Sequence, residues 1–134
     1  VLPADGIAVY GRARDGARVF ASQDLARMPA ELCTVNVAAF AQGERGPAVR
    51  LCALIDAARA VPGTLYVNFE DRARTRRLAH FLTEVVDLGW IAYGAREDAH
   101  AGDGAFRLIL PGIHGDRGHM NDLAWIELAD EPAE

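Results

Sequence analysis

The sequence predicts an α+β domain: a compact, mixed β-sheet with a few short helices. Three stretches carry that expectation. Thr64 to Glu70 alternates at the period of a strand, with Leu65, Val67 and Phe69 on one side and Tyr66, Asn68 and Glu70 on the other. Leu51, Leu54, Ile55 and Ala58 recur at i, i+3, i+4 and i+7, which is one face of a helix. Phe106 to Leu128, FRLILPGIHGDRGHMNDLAWIEL, reads as strand, punctuated loop, strand. A chain of 134 residues reads as one domain, large enough to bury about two-thirds of its unfolded surface.

Taken in order, Gly6 to Arg14 reads as a strand, with Ile7 and Val9 on one face and Ala8 and Tyr10 on the other. Asp15-Gly16 is a hairpin signal, and Ala17 to Phe20 is the returning strand. Ser22 is placed to cap a short helix, Gln23 to Met28, with Asp24 in the first turn where a carboxylate is favoured; Pro29 stops it. Leu32 to Phe40 follows as a strand and Ala41 to Gly46 as a polar loop. Pro47 suits a first helical position, so the striped helix is expected over Pro47 to Ala60, closed by Val61-Pro62-Gly63. From Asp71 to Leu88, the apolar positions Leu78, Phe81, Leu82, Val85 and Val86 taken alone give one long helix.

Gly89 breaks the chain before a short strand, Trp90 to Tyr93, and Arg96 to Gly104 is a polar loop. In the final stretch, Phe106, Leu108 and Leu110 alternate with Arg107 and Ile109 until Pro111-Gly112 ends the run. The loop then gathers Gly112, Gly115 and Gly118 with His114, Asp116, Arg117, His119, Asn121 and Asp122. Long loops of that polarity between strong strands are commonly functional. Leu123 to Leu128 returns to the core, and the acidic end, about 129–134, is expected to fray.

Composition narrows the partners. A net charge of −5 is the wrong sign for a general nucleic-acid binder. No stretch is long and apolar enough for a membrane span, and Val1-Leu2-Pro3 does not open a secretory leader. The compartment stays open. Every basic residue is arginine, a usage that GC-rich coding explains better than anion recognition does. Cys33 and Cys52 fit neither a disulfide framework nor a zinc site. His114 and His119, with Asp116 and Asp122 nearby, lack recognised ligand spacing, so no metal is expected there. Cys52, Trp90 and Trp125 read as structural residues of the core or a pocket wall.

Several passages, taken together, point further. They are Asp24-Leu25-Ala26-Arg27-Met28-Pro29, the helix-to-strand run GPAVRLCALIDAARAVPGTLYVNFED, and Leu108-Ile109-Leu110-Pro111-Gly112 followed by Gly115, Arg117 and Ile126-Glu127-Leu128. In that order they resemble the oxidoreductase molybdopterin-binding domain family, with its sulfite-oxidase-like fold. The resemblance implies a strand over roughly Ala73 to Leu78 and a short helix after it, in place of one long helix. It also implies that the Gly112–Asp122 loop helps to close a pterin pocket.

Enzymes of that family hold molybdenum through two pterin sulfurs and one cysteine thiolate. Matching Phe40 and the Pro47–Leu54 segment to the family puts Asn36 at the ligand position, where a neutral amide oxygen replaces a soft anionic sulfur. Cys33 lies three residues earlier. An odd offset on a strand turns it to the other face, so it serves as a ligand only through a shifted register and otherwise reads as a small core hydrophobe. The expectation is therefore a non-catalytic relative that has lost molybdenum, carries no cofactor and acts as a binding or accessory module. Its degenerate pocket would include Asn36, His114, Arg117 and His119 and take a small anionic or polar ligand. Two alternatives stay open: a molybdopterin-dependent oxidoreductase with Cys33 as metal ligand, and a protein-interaction domain using the Arg72–Arg77 face. On a strand, Arg72, Arg74 and Arg76 would share one side.

Overall fold

The computed structural model describes residues 6–41, 44, 46–93 and 106–133. Its strands, in chain order, are β1 Gly6–Gly11, β2 Arg18–Ala21, β3 Cys33–Thr34, β4 Ala48–Arg50, β5 Tyr66–Asp71, β6 Arg77–Phe81, β7 Trp90–Ala92, β8 Arg107–Ile109, β9 His119–Asn121 and β10 Leu123–Ala129. The α-helices are α1 Ser22–Ala26, α2 Leu51–Ala57 and α3 Leu82–Val85. The strands form two five-stranded sheets: sheet I in the order β2-β1-β10-β5-β6, and sheet II in the order β3-β4-β7-β8-β9. β1 runs parallel to β10, while the other pairs among the described residues are antiparallel.

One apolar cluster joins the two sheets and the helices. It takes Ile7 and Val9 from β1, Val67 and Phe69 from β5, and Ile126 and Leu128 from β10; sheet II adds Val49, Ile91, Leu108 and Met120. The stripe Leu51, Leu54, Ile55 and Ala58 packs into the same cluster, with every member almost fully buried. Burying one such side chain is worth about 1.5–3 kcal/mol. A smaller cluster of Val37, Ala48, Trp90, Ala92 and Ile109 lies on the other face of sheet II.

Several sequence expectations shift. The helix expected from Pro47 begins only at Leu51, because Ala48, Val49 and Arg50 are taken by strand pairing with Ala92, Ile91 and Trp90. The strand expected over Leu32 to Phe40 is reduced to Cys33–Thr34, flanked by 3-10 turns at Ala30–Leu32 and Val37–Ala39. Ser22 is the first residue of α1 and not its cap; Asp24 instead accepts the Ala21 N–H at 2.7 Å. Leu65, expected inward, precedes β5 and is 57% exposed.

Between Asp71 and Leu88 the elements are a strand and then a short helix, but the strand starts at Arg77, not Ala73. What delays it is a turn. The Asp71 carboxylate accepts from Thr75 N, Thr75 Oγ1 and Arg76 N, at 2.9, 2.8 and 3.1 Å, and Arg74 takes φ 59°. The acidic end is tied down as far as Ala133. Asp130 pairs with Arg12, Asn68 Nδ2 donates to the Glu131 carbonyl, and Ala133 N donates to Asn68 Oδ1. Among the described residues no helix is long and apolar enough to cross a membrane. The Arg96 to Gly104 loop lies outside the described residues.

Candidate functional site

The polar loop after β8 folds back at once. Gly112 and Gly115 take φ 87° and 70°, values costly for other residues. Leu110 N donates to the Gly118 carbonyl at 2.8 Å, and residues Gly115–Gly118 make a 3-10 turn that feeds directly into β9. A loop expected to be irregular up to Asp122 thus contains the edge strand of sheet II, which pairs Arg107 with Asn121, Leu108 with Met120 and Ile109 with His119.

Its side chains engage different neighbours. Arg117 reaches the edge of sheet I, where Nη2 donates to the Ala79 carbonyl at 2.7 Å. The Arg117 carbonyl in turn lies 2.9 Å from Nε2 of His80, a buried histidine of β6. Burial pushes the His80 imidazole below its ordinary pKa, and the Arg117 carbonyl offsets that only in part. A neutral ring facing a carbonyl carries its proton on Nε2. With Tyr66, Phe81, Glu84 and Pro132, these groups line an open cleft of about 350 Å³.

His119 looks elsewhere. Its Nε2 lies 3.3 Å from Oε1 of Glu44, whose other oxygen pairs with the Arg107 guanidinium. Arg107 is almost completely buried. His114 is exposed. Asn36 is exposed too, and its amide oxygen accepts from Ala38 N at 3.1 Å and Gly46 N at 3.2 Å, capping the Val37–Ala39 turn. The structure therefore places Asn36 and Glu44 on one connector, and Glu44 with His119, while Arg117 sits with His80.

The cysteines are turned to packing. Cys33 lies against the main cluster, with Sγ 3.7 Å from the Met28 carbonyl oxygen. Burial first, and then Glu31, push its thiol up. The Cys52 thiol is raised by burial and by the carboxylates of Asp56 and Asp87. Among the described residues no group of three or more His, Cys, Asp or Glu is arranged to hold a metal ion.

The arginine run does not share a strand face, because residues 72–76 form the β5–β6 turn. Arg72 donates to the Gly6 carbonyl at 2.7 Å, and Arg76 donates to the carbonyls of His119 (2.7 Å) and Asp116. Arg77 pairs with Glu70 at 2.5 Å, and Arg74 lies over the Trp125 ring at 4.2 Å.

Sequence reasoning passed over His80, Glu44 and Arg107. Only Arg107 left a signal: one charge inside the apolar run Phe106–Leu110. His80 was hidden within a helical stripe, and a glutamate in a polar loop marks nothing.

No family model matches the chain, and no curated protein matches it. Among solved structures it is similar to the sulfane dehydrogenase SoxCD from Paracoccus pantotrophus, with a TM-score of 0.70 at 18% identity over 98% of this chain. The match takes in 40% of that chain, so the present sequence spans well under half of its neighbour's length. A likeness at this identity shows the fold alone: the α+β, sulfite-oxidase-like architecture that the sequence predicts.

Proposed function

We propose that this chain is a molybdopterin-binding-like domain that holds no molybdenum and works, without catalysing a reaction, as a binding or accessory module for a small anionic or polar ligand. The observation that carries the reading is the state of the sulfur chemistry. The chain has two cysteines. Cys33 packs beside the core with its thiol directed at a backbone carbonyl, and burial raises its pKa. Asn36, at the position that the resemblance gives to the ligand, spends its amide oxygen on two backbone N–H groups. These residues do not fit a molybdenum–pterin group. The open cleft beside Arg117, lined also by His80 and Glu84, supports retained binding of a smaller polar molecule. The Arg72–Arg77 run supports partner docking less well, since its guanidinium groups already have partners within the chain.

Alkylation of Cys33 in the folded protein, followed against pH with Cys52 replaced by serine, tests this. The rate should stay low at neutral pH and climb only above the range of an ordinary thiol, about 8.5. A rate already at its plateau near neutrality would reveal a stabilised thiolate. Protection relieved by a chelator would reveal a metal on the sulfur. Either result overturns the proposal.

A further inference from the structure

The side of sheet I that faces away from the core carries a depression between two aromatic rings. Ile7 and Val9 turn to the core, so Ala8 and Tyr10 of β1 face outward, and strand pairing sets Ala8 between Val19 of β2 and Trp125 of β10. Glu127 stands beside Tyr10 in the next row. Ala8 and Ala17 are small, and they leave the rings of Tyr10 and Trp125 standing as walls. The result is an open cleft of about 380 Å³ lined by Ala8, Tyr10, Ala17, Arg74 and Trp125. It shares no residue with the cleft beside Arg117.

Arg74 is the one charged residue of that lining. Its place is fixed from two directions. The turn that presents it is held by the hydrogen bonds that the Asp71 carboxylate accepts, and Arg74 N donates to the Asp71 carbonyl at 3.0 Å. The guanidinium lies over the Trp125 ring, 4.2 Å from its centroid. On one edge Nε keeps a long ion pair to Glu70, 3.6 Å from Oε1, while the other oxygen of Glu70 pairs with Arg77 at 2.5 Å. Glu127 accepts from Asn68 Nδ2 at 2.9 Å. Among the described residues the Nη groups of Arg74 make no hydrogen bond, and the side chain is 61% exposed.

We infer that this cleft binds a small aromatic carboxylate, its ring seated over Ala8 and Ala17 between Tyr10 and Trp125, and its anionic group on the Nη edge of Arg74. A floor of two alanines admits a flat ring at van der Waals distance, where a branched side chain in either place would fill the space. Tyr10 and Trp125 offer that ring aromatic contacts worth more than their area alone. An arginine fork already stacked on an aromatic ring is pre-organised for a planar carboxylate. A cleft near the lower end of ligand-pocket volumes suits one ring with one substituent. The inference goes beyond the accessory-module reading and does not depend on the cysteines.

Proton–nitrogen NMR of the unaltered protein, titrated with sodium benzoate at constant ionic strength, tests the site. The chain has two tryptophans. Trp90 is 3% exposed and belongs to sheet II, so its indole N–H serves as the internal control. The Trp125 indole resonance should shift and saturate while that of Trp90 stays in place. Benzyl alcohol has the ring without the charge, and cyclohexanecarboxylate the charge without the flat ring; each should bind more weakly than benzoate. Arg74→Gln should weaken benzoate binding about tenfold, the loss of one charge-assisted contact. An unmoved Trp125 resonance, equal shifts at both indoles, or a benzoate affinity matched by either control or kept by Arg74→Gln would overturn the inference. The three-ligand comparison needs no variant, so it decides even if the Arg74→Gln chain does not fold.

Discussion

Leu54 and Leu65 carry the same side chain, and sequence periodicity puts both inward, yet the fold separates them. Leu54 is fully buried in α2, within the cluster that joins both sheets, and Leu65 is 57% exposed just ahead of β5. Truncating Leu54 to alanine removes buried methyl groups and leaves a cavity between sheet and helix, at a cost of about 2–5 kcal/mol. Against a total stability of about 5–15 kcal/mol for a domain, that is a large fraction. With a urea dependence of about 2 kcal/mol per molar, a loss of about 3 kcal/mol moves the unfolding midpoint by about 1.5 M. Leu65→Ala should move it by no more than an ordinary surface change, about 0.5 kcal/mol. Urea unfolding of both variants beside the parent, read by tryptophan fluorescence, gives the comparison. Equal shifts, or a Leu54→Ala midpoint matching the parent, would refute the placement of α2 on the sheets.

Two further outcomes follow from the loop and its neighbours. Burial holds the His80 pKa below its unfolded value, so the unfolded chain takes up the proton first as pH falls below about 6.5, and stability declines from there until the folded pKa is reached. His80→Gln should flatten the urea midpoint between about pH 7 and pH 5; a slope equal to that of the parent would show that His80 is not the group responsible. A Cβ on Gly118 would overlap the Ile113 carbonyl, which is backbone and has no rotamer to escape into. Gly118→Ala should therefore cost about 1–3 kcal/mol in the same assay, and a neutral result would mean that the loop does not fold back as described.

Much of the fold was legible because most apolar positions agree with their local period. Ile7, Val9, Val67, Phe69 and the Leu51–Ala58 stripe all reach the core, as their spacing predicts. Three of the departures share a cause, in that pairing with another strand overrides local preference. Ala48 to Arg50 would continue a helix but is claimed by β7, and Arg77 to Phe81 carries a helical stripe but is claimed by β5. His119 to Asn121 looks like loop because the strand it pairs with lies across a glycine-rich turn. Of the site, the residue types were readable and their grouping was not. His119 and Arg117 stand two residues apart yet serve different sheets, and the carboxylate that meets His119 sits far away in sequence.

We propose above a sulfite-oxidase-like fold that lacks the sulfur ligand which would anchor molybdenum. The most direct test is the molybdenum and pterin content of the protein purified from a host that makes the cofactor. Neither should be present in stoichiometric amount, and no charge-transfer absorption should be seen. About one molybdenum per chain, lost when Cys33 is replaced by serine, would contradict it.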